Sequence, residues 1–201
     1  MARLASLIIE HYEKHATAWD SDRQNSGWND QVWHDRFIGS LSAGAHVLDL
    51  GCGAARPVAQ HMHERGLQVT GVDASPTMIS LCRSRLPDHQ WMVADMRRLS
   101  LEDRFDGIMA WDSFFHLDLD DQRRMFAVFS EHSSDRAVLM FNTGPEHGEA
   151  VGSYRGDPLY HASLAPSEYL ALIGGTGFEV IDHAVNDALA GGRTVWLCRR
   201  Q

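Results

Sequence analysis

With 201 residues, 44% of them hydrophobic, the chain has the size of one domain and enough apolar material to bury a sizeable core. Its 18 Lys and Arg against 27 Asp and Glu leave a formal net charge of −9, which argues against a nucleic-acid partner, because phosphate binding needs a basic footprint. No apolar run approaches transmembrane length, and Cys52, Cys82 and Cys198 lie far apart without a C-x-x-C pair, so a soluble, cytoplasmic protein with reduced thiols, no membrane association and no zinc site is expected.

In chain order, residues 1–43 read as a helical cap outside the core, with Leu4, Leu7, Ile8 and Tyr12 at helical spacing. From there strands and helices alternate. H-V-L-D-L (46–50) is a buried strand closed by glycines, followed by a helix over 57–65 with Pro57 at its start and Gly66 past its end. Strand 67–73 leads to a helix over 76–86, for which Ser75 is a suitable N-cap. Strands follow at 91–95, 105–111 and 137–142, with a helix over 120–131 before the last of these. Short connections between alternating elements imply right-handed βαβ units and a doubly wound parallel sheet covered on both faces. After a helix near 166–173 the rhythm breaks. Strands 178–185 and 193–199 are joined by N-D-A-L-A-G-G, a hairpin, so the last strand runs antiparallel.

In an open parallel sheet, ligands bind outside the carboxyl ends of the strands. There the chain places G-C-G (51–53), which turns sharply and leaves room for close backbone approach. A dinucleotide fingerprint needs a further glycine where Arg56 stands, and Pro57 lacks an N–H that a pyrophosphate would use. Instead, Asp49, Asp73 and Asp95 close three successive strands and outline a nucleoside-sized ligand without a diphosphate.

V-L-D-L-G-C-G, G-V-D-A-S-P-T-M-I, V-A-D-M and F-D-G-I-M-A-W-D-S-F-F-H-L resemble the successive motifs of the class I S-adenosylmethionine-dependent methyltransferases, over roughly residues 45–117. The resemblance implies a Rossmann-like α/β fold, a seven-stranded mostly parallel sheet with an antiparallel last strand, and S-adenosyl-L-methionine as cofactor. It also implies roles. Gly51, Cys52 and Gly53 pass the methionine part by backbone contact, and Asp49 reaches its ammonium. Asp73 takes the ribose, Ala74 the adenine edge, and Asp95 with Met96 the adenine. The carbonyl of Trp111 faces the methionine amino group, and Arg23 of the cap pairs with the carboxylate. Many members carry glycine where Ala55 stands.

Methyl transfer needs an aligned acceptor and, where the acceptor pKa is high, a base. The segment after the fourth strand offers Asp112 and His116 as catalytic candidates, with Phe114 and Phe115 for an aromatic pocket. Residues 143–165 are long for a connection and read as a substrate loop carrying His147, Tyr154, Arg155, Tyr160 and His161, of which His147 and Tyr160 are the substrate-binding candidates. His61 and His63, two apart on a helix, diverge and make a poor metal pair. The expected activity is methyl transfer to a small-molecule acceptor. A nicotinamide-dependent oxidoreductase and a non-catalytic module that binds the methyl donor are the alternatives.

Overall fold

A computed structural model describes residues 2–201. Helices α1 (Ala2–Ser6), α2 (Ile8–Asn25) and α3 (Gln31–Gly39) precede the sheet. The core then runs β1 (His46–Leu50), α4 (Val58–Glu64), β2 (Gln68–Asp73), α5 (Pro76–Arg85), β3 (Gln90–Val93), β4 (Phe105–Ala110), α6 (Leu119–Glu131) and β5 (Ser133–Thr143). It continues with β6 (Gly148–Tyr154), β7 (Asp157–Ser163), α7 (Pro166–Gly175), β8 (Phe178–Asp187) and β9 (Arg193–Arg200).

Seven strands form one sheet in the order β3-β2-β1-β4-β5-β9-β8. The pairs from β3 to β5 are parallel, and β9 runs antiparallel to both β5 and β8, as the terminal hairpin predicted. The order reverses between β1 and β4, so the crevice opens at their carboxyl ends.

Both faces are covered. Val47 points into a layer with Trp33, Phe37, Met62 and Met140, whereas Leu48 and Leu50 point into the opposite layer with Phe126, Phe129, Phe141 and Trp196. By the two-residue period of a strand, Asp49 shares the face of Val47, but it stands where that layer ends and the crevice begins. The N-terminus of α5 is capped by Ser75, whose hydroxyl accepts from Met78 N at 3.1 Å with Pro76 in the first turn.

The expected loop at 143–165 is largely a β-hairpin. β6 and β7 pair antiparallel through a two-residue turn at Arg155 and Gly156, both at positive φ (50° and 87°), in a small sheet of their own. Most of β6 is exposed, so it lacks the apolar alternation that marks a strand in sequence. Among the described residues no helix is long and apolar enough to cross a membrane.

Candidate active site

One cavity lies at the carboxyl ends of β1, β2 and β4, roofed by α2. Its floor is the β1 turn. Gly51 and Gly53 have φ of 77° and 54°, and a Cβ on Gly51 would fall 2.3 Å from the Ser113 Cβ, so the close approach of the two loops requires glycine. Ala55 itself takes a left-handed φ of 67°. Asp73 holds this turn. Its carboxylate accepts from Gly53 N and from Ser75 N, each at 2.9 Å, joining the β1 turn to the start of α5. Burial nevertheless pushes the Asp73 carboxyl up to about 6.

Asp49 lies beside it, 4% exposed and lining the cavity. Burial, with the charge of Asp73 nearby, pushes its carboxyl up to about 7, and among the described residues no hydrogen bond offsets that penalty. A buried carboxylate without a donor is costly unless a cation meets it. These acceptors fit a ligand that brings an ammonium to β1 and hydroxyls to β2.

Asp95 and Met96 line the same cavity, but the Asp95 oxygens are already engaged. Arg97 Nε donates to Oδ1 at 2.9 Å and Arg97 Nη2 to Oδ2 at 2.6 Å, while Arg97 N donates to Oδ1 at 3.0 Å. An adenine amino group there competes with Arg97. The remaining cofactor-side candidates, Cys52, Ala74, Trp111 and Arg23, also reach the cavity wall. Arg23 Nη2 donates to both oxygens of buried Asp30, at 3.2 and 3.0 Å, and Trp111 Nε1 donates to Asp30 at 2.9 Å, which anchors the β4 end to the cap.

The catalytic candidates Asp112 and His116 both face the cavity, and neither is free to act as the expected base. Asp112 is gripped by Arg193 (Nε to Oδ1 at 2.6 Å, Nη2 to Oδ2 at 2.7 Å) and accepts from Asn142 Nδ2 at 2.8 Å. His116 is buried. Its Nδ1 lies 2.8 Å from the Tyr160 carbonyl, which only accepts, so Nδ1 carries the hydrogen and Nε2 accepts the Tyr12 hydroxyl at 2.7 Å. Burial drives the His116 pKa down to about 3, despite the Tyr160 carbonyl. The ring is neutral at physiological pH.

Three substrate-side expectations are corrected. Phe114 is fully buried in the aromatic core against Phe126, Phe129 and Phe141. Tyr160 packs with Ala5 and Ala162, and its hydroxyl donates to Glu149 at 2.6 Å within the hairpin. His147 is exposed on the turn before β6 and is not part of the cavity lining. In their place stand residues that the sequence reading left without an assigned role at the site: Ile8, Ile9 and Tyr12 from the underside of the cap, and Ser113 and Leu117 after β4. The helical spacing of Ile8 and Tyr12 was the available signal, although it does not tell a cavity wall from core packing.

The roof is pinned on both sides. Toward α5, Glu13 accepts from the Ser75 and Thr77 hydroxyls at 2.5 and 2.7 Å, and Asp20 takes a bidentate Arg85 at 2.7 and 2.6 Å. Toward the hairpin, Asp22 accepts from the Tyr154 hydroxyl at 2.7 Å and from Arg155 at 3.0 Å.

A seven-stranded sheet of this order with an antiparallel β9 is the Rossmann-like fold of class I methyltransferases. Residues 47–134 match the family model described as a methyltransferase domain. Trans-aconitate 2-methyltransferase of Escherichia coli is 43% identical over 67 residues, 32% of this chain and 26% of that protein. The chain thus spans about a quarter of the length of the curated relatives it matches. The Burkholderia thailandensis 1,6-didemethyltoxoflavin-N1-methyltransferase superposes with a TM-score of 0.76 at 17% identity, over 100% of this chain and 90% of that one. The magnesium protoporphyrin IX methyltransferase of Synechocystis, solved with bound S-adenosylmethionine, gives 0.74 at 15% identity, over 98% and 97%. The chain shares the Rossmann-like fold of these methyltransferases, and its residues 47–134 resemble a methyltransferase domain.

Proposed function

We propose that the protein transfers a methyl group from S-adenosylmethionine to a small-molecule acceptor held beneath α2. The observation that carries this reading is Asp49, a buried carboxylate without a hydrogen-bond donor, at the end of β1 beside the Gly51 turn. In this reading Asp49 meets the cofactor's ammonium and Asp73 its ribose hydroxyls. Gly51, Cys52 and Gly53 pass its methionine chain, Ala74 and Met96 flank the adenine, and Arg23 faces the carboxylate. The cofactor supplies a methyl group on a positively charged sulfur, so the protein's share of the work is alignment and exclusion of water.

On the acceptor side the reading rests on Tyr12. Its hydroxyl hydrogen is committed to His116, so its oxygen offers lone pairs to an O–H or N–H of the acceptor. His116 positions Tyr12 and does not itself take the proton, which the methylated acceptor releases to solvent. Ile8, Ile9 and Leu117 make that end of the cavity apolar, which suits a small, partly apolar acceptor. The relatives' names are consistent with small acceptors, one a tricarboxylic acid and one a heterocycle.

Calorimetric titration with S-adenosylhomocysteine and with NAD tests the cofactor assignment. Saturable binding of S-adenosylhomocysteine alone is expected, and binding of NAD alone overturns the reading. A screen of small acceptors with isotopically labelled methyl donor, read by product mass, then identifies the substrate.

A further inference from the structure

His11 and His15 stand four residues apart on α2, so their rings share one helical face. Asp157, the first residue of β7, faces them from the hairpin. One ligand atom from each of the three lies within 4.8 Å of the others. His15 Nε2 is 2.6 Å from Asp157 Oδ2, and the two imidazole centroids are 4.9 Å apart. His11 is 8% exposed, and its Nε2 is buried without a hydrogen-bond partner among the described residues, an orphan that a native structure usually satisfies.

We propose that His11, His15 and Asp157 bind a divalent transition-metal ion of the zinc class, which ties the roof helix α2 to the β6–β7 hairpin. Two imidazoles and one carboxylate are a donor set that such ions prefer over magnesium or calcium, with a fourth position left for water. Metal–ligand bonds of about 2.0–2.2 Å place tetrahedral donors about 3.4 Å apart, so small side-chain rotations bring the three into range. The expectation of no metal site rested on the scattered cysteines and on His61 and His63. It did not weigh a pair with helical spacing whose third ligand is 142 residues away from His15.

Lys14 is the resident competitor. Its Nζ lies 2.6 Å from the same Asp157 Oδ2, and its side chain is 62% exposed and free to swing into solvent. Asp157 is itself 34% exposed, which gives an ion a path from that side. A bound ion displaces the ammonium from Asp157, so Lys14 sets the affinity without being a ligand.

The test is zinc titration of the chelator-stripped full chain, by calorimetry and by the visible spectrum of a cobalt(II) substitute. One saturable equivalent is expected, with a tetrahedral cobalt spectrum and a zinc-dependent rise in melting temperature. His11→Ala, His15→Ala and Asp157→Asn should each weaken binding about tenfold or more. Lys14→Met, which touches only an exposed side chain, should tighten it several-fold. Each variant's metal-free melting curve reports whether it folds. Absence of a saturable site in the wild-type chain overturns the proposal. So does zinc affinity unchanged in folded His11 and Asp157 variants, or unaffected by Lys14→Met.

Discussion

At the β1–β2 end of the cavity, Asp49 and Asp73 sit buried with carboxyl groups raised to about 7 and about 6. At the β4–β5 end, Asp112 meets Arg193 through two hydrogen bonds of 2.6 and 2.7 Å and a third from Asn142. The acids are the same, and the cavity is one. The first pair is left short of cations, while Asp112 is fully supplied from β5 and β9. The contrast separates two tasks: in the proposed function Asp49 and Asp73 keep capacity for a ligand, Asp73 while also holding the β1 turn, whereas the saturated Asp112 fixes the segment after β4.

The largest expected effect breaks the saturated end. Asp112→Ala strands a largely buried Arg193, which Asp30 reaches only at 3.5 Å, and should cost about 3 kcal/mol in urea unfolding. An unchanged midpoint would move Asp112 from scaffold to ligand contact. At the undersupplied end, Asp73→Ala should weaken S-adenosylhomocysteine binding at least about tenfold in calorimetry, because charge-assisted hydrogen bonds are lost. The same change releases Gly53 N, so the variant's melting curve separates a lost contact from a loosened turn.

Asp49→Asn sharpens the comparison through pH. Burial holds the Asp49 pKa above its ordinary 3.8, so the folded chain binds that proton more tightly than the unfolded one. Its contribution to stability is present at low pH and is lost as pH rises from about 4 through about 7. Asp49→Asn should therefore melt higher than wild type at pH 8, without ligand. Wild-type affinity for the cofactor should rise with pH through about 7 as the carboxylate forms, and the variant's should be weaker and flat. The smallest effect belongs to the acceptor side. Tyr12→Phe should lower turnover about tenfold by removing one oriented hydroxyl, with cofactor affinity nearly unchanged. A matching fall in cofactor affinity would reassign Tyr12 to the donor end.

Much of this was legible in the sequence, for local reasons. Strands that end in an acid, with helices opening on Pro57, Pro76 and Pro166, announce the parallel core, and N-D-A-L-A-G-G announces the turn before the antiparallel strand. The sheet edge follows directly: with β1, β2 and β3 parallel, Asp49 lies level with Gly71 and Asp73 with Val93, so Asp49, Asp73 and Asp95 step along one carboxyl edge. What stayed hidden depends on distant partners. The Arg193 that takes Asp112 is 81 residues away, and the Tyr12 that meets His116 is 104 away. Phe114 and Phe115 are adjacent aromatics in a loop, and no sequence period tells which one turns into the core. The hairpin escaped because its outer strand is polar and exposed, so its pairing partner, not its composition, makes it a strand.

The roof helix has a consequence for the catalytic cycle. Under the proposed function, exchange of the spent donor is expected to require α2 to release α5 and the hairpin, to which Glu13, Asp20 and Asp22 tie it. If that release is slower than methyl transfer, rapid mixing should reveal a burst of methylated product followed by a slower steady rate, and a linear onset would place the slow step before or at the chemistry.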